Sequence, residues 1–290
     1  MSSSSRVRDF APGIAVAVAF LVAGTAGFAV GAVTSSPEPA AATEVTALPS
    51  ATAMATSSAP APLPTPSDDA YVAALDDSLE FGSETLAEGQ SGRSETNVSD
   101  SDLQVLNWVE TDDPVFFITI DDGLVDSPTV LDFIERNQIP VTAFLTEYAV
   151  RNKTDYFEAA TAFGGSVQNH TMVHGALDDP ATDVEWEICE TQDRFDKQFG
   201  YTPWMLRPPY GAGPKDPEVL KYAEQCGISR IVLWNVVVTD DNQIEYWAPP
   251  IKAGDIVLLH WVDGMEVGLQ KVLELGKAQG LTPAALEDYI

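Results

Sequence analysis

From Val115 onward, short apolar runs alternate with stretches in which apolar residues recur at helical spacing. "VFFITI" (115–120) is a continuous apolar run of strand length, and "PVTAFL" (140–145), "SVQNH" (166–170), "PWMLRPP" (203–209), "RIVLWNVVV" (230–238) and "DIVLLHW" (255–261) read as further strands. Helices are expected between them. Ser127 followed by Pro128 marks a helix start, with a capping residue and proline at the first helical position. The stretch "TVLDFIERNQ" then places Val130, Phe133 and Ile134 on one face. A helix around 156–163 stops at Gly164-Gly165. Thr182 and Glu185 have the spacing of a capping box for a helix whose apolar stripe is Val184, Ile188, Phe195 and Phe199, with Gly200 as its stop. Another helix opens at Asp216-Pro217 and runs to Cys226-Gly227. Tyr148, Trp186 and Phe195 read as packing residues.

Alternating strands and helices imply a parallel sheet covered by helices. The strands are apolar along their length, as expected where both faces are buried. The segment 114–290, about 177 residues, is short for a complete eight-fold barrel, so the expected fold is α/β, a distorted, incomplete (β/α) barrel.

The N-terminal part is different. Beyond Arg6, Arg8 and Asp9, residues 10–34 carry no charge, a stretch long enough to cross a bilayer. The preceding arginines fit a cytoplasmic N-terminus. Residues 1–34 are therefore read as a membrane anchor or a cleaved signal peptide, and either would deliver the rest of the chain out of the cytoplasm. Residues 35–66 are rich in Ala, Pro, Ser and Thr, the composition of an extended tether. From Asp68 to Asp113 there are 13 acidic residues against a single basic one, Arg93. Residues 35–113 are thus expected to be a mostly disordered linker, whose apolar patches "YVAAL" and "LQVLNWV" could form marginal helices or dock on the domain.

A net charge of −29 leaves no basic footprint for nucleic acid. It fits solubility in high salt or repulsion from an anionic cell wall. The two cysteines, Cys189 and Cys226, read outside the cytoplasm as a disulfide, with two buried free thiols as the alternative. A disulfide would close a loop of about 38 residues and contribute about 4 kcal/mol by the chain-entropy argument.

The polar residues fall at strand ends. Asp121 and Asp122 follow the first strand, His170 ends the third with His174 four residues on, Arg207 lies in the fourth, and His260 ends the last. The carboxyl ends of parallel strands form the active-site rim of such folds. All three histidines of the chain lie there. His170 and His174 can face one point from a single turn, and a carboxylate from another strand completes a metal site with an open position. Two histidines and one carboxylate also describe the non-haem iron oxygenase triad, but that reading leaves Asp121, Arg207 and His260 without a role. Hydrolysis employs all of them: one Asp as metal ligand, the other as general base held by Arg207, and His260 as general acid.

In order, "TIDDG" (119–123), "HTMVH" (170–174), "RPPYG" (207–211) and "LLH" (258–260) resemble the motifs of the NodB-homology polysaccharide deacetylases, carbohydrate esterase family 4. The resemblance covers 114–290. It implies a distorted (β/α) barrel that removes N-acetyl groups from peptidoglycan, chitin or related glycans. It implies one divalent ion, Zn2+ first, with Co2+, Ni2+ or Mn2+ as other candidates. Asp121 would be the general base, Asp122, His170 and His174 the metal ligands, and Arg207 the partner of the base. Tyr210 would offer its backbone N–H to the oxyanion, and His260 would be the general acid. Leu258 and Trp234 would line the pocket. The chain departs from the family at Ile120, where Phe is usual, and in "WNVVVTDDN" (234–242), where Val237 replaces the Asp that tunes the acidic histidine. Either Asp240 or Asp241 is the substitute, by proximity in sequence, or His260 is a weaker acid. The competing expectation is a catalytically silent glycan-binding wall protein on the same scaffold. The expected protein is a monomer, outside the cytoplasm, tethered by its N-terminal segment or secreted.

Overall fold

A computed structural model describes residues 95–97, 102–246 and 248–290. The N-terminal membrane segment and most of the linker expected from the sequence lie outside the described residues. Among the described residues, no helix is long and apolar enough to cross a membrane.

Among the described residues, eleven strands form one sheet: β1 (Glu95–Asn97), β2 (Gln104–Leu106), β3 (Val115–Asp122), β4 (Val141–Leu145), β5 (Val167–Asn169), β6 (Met205–Leu206), β7 (Arg230–Val232), β8 (Val236–Val238), β9 (Ile244–Tyr246), β10 (Ile256–His260) and β11 (Thr282–Ala284). The order is β1-β2-β7-β6-β5-β4-β3-β10-β8-β9, with β11 added to β3. All pairs are parallel except β1 with β2 and β8 with β9. The sheet curls into a half-barrel. Beyond β2, Val109 N donates to Gly254 O at 2.8 Å, and beyond β7, Asn235 N donates to Ile256 O at 3.1 Å, so the segments that follow these neighbouring strands at one end of the curl meet the start of β10 toward its other end.

The outer face is covered by α1 (Pro128–Asn137), α2 (Glu147–Val150), α3 (Thr154–Thr161), α4 (Thr191–Phe199), α5 (Pro217–Gln225) and α6 (Met265–Ala278). β3 is buried along its length because it has parallel neighbours on both sides and side chains packed on both faces. Phe116, Ile118 and Ile120 join a cluster with Val130 and Ile134 of α1, Phe157 of α3, and Leu269 and Val272 of α6. The alternate positions face inward, where Phe117 packs in the cluster that includes Phe144, Val237 and Leu258.

Several expectations are revised. The run 230–238 is two strands rather than one. Leu233–Asn235 leave the ladder, and Asn235 substitutes for backbone: its Oδ1 accepts from Ile256 N at 2.9 Å and its Nδ2 donates to Asp255 at 2.6 Å. The strand expected over 203–209 shrinks to Met205–Leu206, because the prolines that follow cannot donate to a ladder. The helix expected to open on a Thr182–Glu185 capping box is instead capped by Asp183, whose Oδ1 accepts from Trp186 N at 3.1 Å. It passes through a π-helical turn, Trp186–Glu190, before α4. Ser127 precedes α1 but makes no side-chain capping bond. The patch "LQVLNWV" docks as strand β2, with Leu103, Val105, Leu106 and Val109 buried. Cys189 and Cys226 are joined in a disulfide that ties the π-helical turn to the end of α5.

Candidate metal and catalytic site

The site begins where β3 ends. Strict alternation would send Asp121 and Asp122 to opposite faces. Asp122 has φ of 76° and Gly123 has φ of 94°, and this left-handed pair turns the chain out of the strand. Glycine is required at 123, since a Cβ there would overlap Val150 Cγ1. The Asp122 carboxylate is thereby brought to the two histidines: its Oδ1 lies 3.2 Å from His174 Nε2 and 3.5 Å from His170 Nε2.

The histidines sit on a loop that leaves β5. Thr171 and His174 adopt left-handed backbone, with φ of 72° and 64°. Asn169 Oδ1 accepts from Thr171 N at 2.8 Å, and Thr171 Oγ1 accepts from His174 N at 3.1 Å. His170 Nδ1 lies 2.7 Å from Arg207 O. A carbonyl can only accept, so Nδ1 carries the proton and Nε2 keeps its lone pair toward Asp122. His174 Nδ1 lies 3.1 Å from the Tyr210 hydroxyl.

Asp121 is held from the other side. Arg207 Nη1 donates to Asp121 Oδ1 at 2.7 Å and to Thr119 Oγ1 at 2.8 Å. Its Nε and Nη2 donate to Val232 O and Leu233 O at 3.0 and 3.2 Å, the carbonyls where the 230–238 run leaves the ladder. Arg207 is fully buried, with its guanidinium 4.2 Å from the Phe144 ring centre and 5.6 Å from that of Trp234. Arg207 is thus the cationic partner of Asp121 and offsets the repulsion between the adjacent carboxylates, while Asp122 faces both histidines and His170 Nε2 also lies 3.7 Å from Asp121 Oδ2.

His260 is the ladder partner of Asp121 across β3 and β10. Its Nδ1 lies 3.4 Å from Asp240 Oδ1, on the turn between β8 and β9. Asp241 accepts instead from Thr239 Oγ1. Val237 is buried opposite Leu258 in the inner cluster, so Asp240 reaches the histidine from the turn. Leu258 lies two residues before His260 on the same strand face, and both Leu258 and Trp234 are fully buried.

Asp122, His170 and His174 are all buried, and their ligand atoms lie within 4.8 Å of one another. Asp122 Oδ1 is shielded from solvent and accepts no hydrogen bond from the described residues. A buried carboxylate oxygen facing two imidazole nitrogens is unfavourable without a cation between them, and an Asp-His-His set with room for a further ligand suits one divalent ion.

Sequence reading missed three contributors. Thr119 links Arg207 to Val257 O, to which its hydroxyl donates at 2.7 Å. Tyr210 was expected only through its backbone, yet its hydroxyl meets a histidine. Glu187 is buried behind the histidine loop. Its signal was an acid beside Ile188 on the apolar stripe begun by Val184.

Residues 109–231 match the family described as polysaccharide deacetylase. Over 193 residues the chain is 33% identical to an uncharacterized protein of Streptomyces coelicolor, covering 64% of this chain and 77% of that one. It is 30% identical over 185 residues to a chitooligosaccharide deacetylase of Bradyrhizobium sp., covering 60% of this chain and 82% of that one. It is 32% identical over 126 residues to the peptidoglycan-N-acetylglucosamine deacetylase PgdA of Listeria monocytogenes, covering 42% of this chain but only 26% of that protein. A solved family 4 carbohydrate esterase from Bacillus anthracis shares the fold, with a TM-score of 0.53 at 21% identity, over 64% of this chain and 86% of that one.

Proposed function

The chain belongs to the polysaccharide deacetylase family, and on that premise we propose that it is a metal-dependent hydrolase removing N-acetyl, or O-acetyl, groups from a cell-wall or extracellular polysaccharide. The observation that carries the proposal is the buried convergence of Asp122, His170 and His174 beside an Asp121 held by Arg207, with His260 across the ladder. The related deacetylases point to peptidoglycan, chitin-like chains or another N-acetylglucosamine glycan as substrate.

Asp122, His170 and His174 would hold the ion, Zn2+ first and Co2+, Ni2+ or Mn2+ as alternatives. When bound, a divalent ion there supplies Lewis-acid polarisation of water and of the acetyl carbonyl. Asp121 takes a proton from the attacking water as its oxygen bonds to the carbonyl carbon, and Arg207 keeps that carboxylate ionised and oriented. The Tyr210 N–H donates to the oxygen on which negative charge develops. His260 gives a proton to the leaving nitrogen as the C–N bond breaks, releasing acetate and a free amine. Asp240 orients His260 through Nδ1, in place of the Asp absent at Val237. Leu258 and Trp234 form the apolar wall for the acetyl methyl.

The protein acts outside the cytoplasm, as a monomer tethered by residues 1–34 or released from them. The disulfide supports that location, since such bonds persist in oxidising compartments.

The test is acetate release from peptidoglycan, chitin oligomers, acetylxylan and poly-N-acetylglucosamine. Release from at least one substrate, abolished by chelator and by Asp121→Asn, is expected. Metal-independent glycan binding without acetate release from any of them would favour the silent glycan-binding protein.

A further inference from the structure

Glu187 is a buried carboxylate that the proposed reaction does not use. It stands on the π-helical turn Trp186–Glu190, behind the loop that joins the two histidines. Its Oε2 accepts from Met172 N at 2.8 Å and from Val173 N at 3.1 Å. The Thr171 hydroxyl also bonds to it, and the same hydroxyl accepts from His174 N. The other oxygen occupies the space a side chain would need at Gly175, where a Cβ would lie 2.4 Å from Oε1. Burial pushes the Glu187 carboxyl up, against the pull of these donors and of His174. The next residue makes a second link, since Ile188 O accepts from Asn169 Nδ2 at 3.0 Å.

Residues 171–174 are in neither helix nor strand, and two of them have left-handed backbone. Such a conformation persists only where its surroundings over-determine it. The turn bearing Glu187 is itself pinned by Cys189–Cys226. We infer that Glu187 is a positioning residue for the metal site: it gathers the N–H groups of the inter-histidine loop and so sets the separation and direction of His170 and His174. The inference rests on Asp122, His170 and His174 being the metal ligands.

The test uses the purified full chain stripped of metal. Co2+ and Zn2+ affinities are measured by titration, the Co2+ complex by its visible spectrum, and folding by far-ultraviolet circular dichroism and Tm. Glu187→Met, which removes both acceptors, is expected to weaken binding about 10- to 100-fold and to change the Co2+ spectrum. Glu187→Gln keeps a carbonyl oxygen for the two N–H donors and is expected to recover most of that loss. Glu287, a half-buried acid bonded to Thr142 and to Ser166, serves as control: Glu287→Met should lower Tm and leave metal affinity unchanged. A folded Glu187→Met variant with wild-type affinity and spectrum would overturn the inference. Should Glu187→Met fail to fold, Glu187→Asp decides. It withdraws the carboxylate by one methylene and is expected to bind about 10-fold more weakly, so wild-type binding there also overturns the inference. Absence of metal binding by the wild type would remove the metal-site reading itself, and this inference with it.

Discussion

Replacing Arg207 by Met separates the electrostatic role of the buried guanidinium from its bulk. The substitution keeps most of the apolar stem against Phe144 and removes every donor. Asp121 Oδ1 loses its 2.7 Å partner inside the protein, next to a second carboxylate. Breaking a buried ion pair from one side destabilises by about 3–5 kcal/mol. The carbonyls of Val232 and Leu233 also lose their donor, and each buried group left unsatisfied adds about 1–3 kcal/mol where water cannot reach it. These effects overlap, so a loss of about 4 kcal/mol or more is expected. With a urea slope of about 2–3 kcal/mol per molar, the midpoint should fall by about 1.5–2 M. The assay is urea unfolding followed by circular dichroism, with chelator present throughout so that metal binding does not add to stability. The double variant Asp121→Leu/Arg207→Met removes the stranded charge and should be more stable than the sum of the single losses predicts, by about 2 kcal/mol. A loss below about 1 kcal/mol in Arg207→Met, or strict additivity in the double variant, would falsify the reasoning.

Tyr210→Phe deletes the hydroxyl beside His174 Nδ1 and should weaken metal binding about 10-fold with little change in Tm, as read by metal titration; equal affinity would reject the contact as an orienting one. Asp240→Asn should lower kcat and move the alkaline limb of the pH–rate profile to lower pH, whereas Asp241→Asn should leave that limb in place; matching limbs in wild type and Asp240→Asn would exclude Asp240 as the partner of His260. Burial pushes Glu147 up from 4.5 to about 7, opposed by Arg194 and reinforced by Glu190. A raised acid contributes stability that is fully present below its unfolded value and lost as pH rises through the folded one, here about 3 kcal/mol between about 4.5 and 7. Glu147→Gln, which stays neutral beside Arg151 and Arg194, should flatten the fall in Tm from pH 5 to pH 8; an unchanged fall would reject the assignment.

Much of the scaffold was legible from local pattern. The run at 115–120 is a buried strand because five of its six side chains are apolar and the sixth, Thr119, bonds within the protein. Asp216-Pro217 opens α5 as its composition predicts, and the Asp216 side chain accepts from Glu218 N at 2.8 Å. The boundaries that shifted did so for tertiary reasons. The 230–238 run breaks because Arg207 takes two of its carbonyls and Asn235 stitches the chain to β10, contacts made by residues distant in sequence. Asp183 rather than Thr182 caps its helix, a choice of one residue that spacing alone does not make. The patch before Asp113 joins the core as β2 despite its acidic surroundings, because Val105 and Leu106 find a parallel partner in β7.

The sequence by itself determined which residue types gather at the carboxyl ends of the strands, because strand order and apolar periodicity are local properties of the chain. It also narrowed the chemistry they could perform, since an Asp-His-His set with a second Asp, an Arg and a third His admits few reactions. The direction of each side chain was decided only by the tertiary structure. Asp121 and Asp122 differ by one position, and the left-handed turn at Asp122 and Gly123 sends one to Arg207 and the other to the histidines. Only in three dimensions does the β8–β9 turn bring Asp240 to 3.4 Å from His260 Nδ1, while its neighbour Asp241 bonds to Thr239. Hydrogen bonds and ion pairs act over a few ångströms, and residues 20 to 90 positions apart come that close only once the sheet has curled.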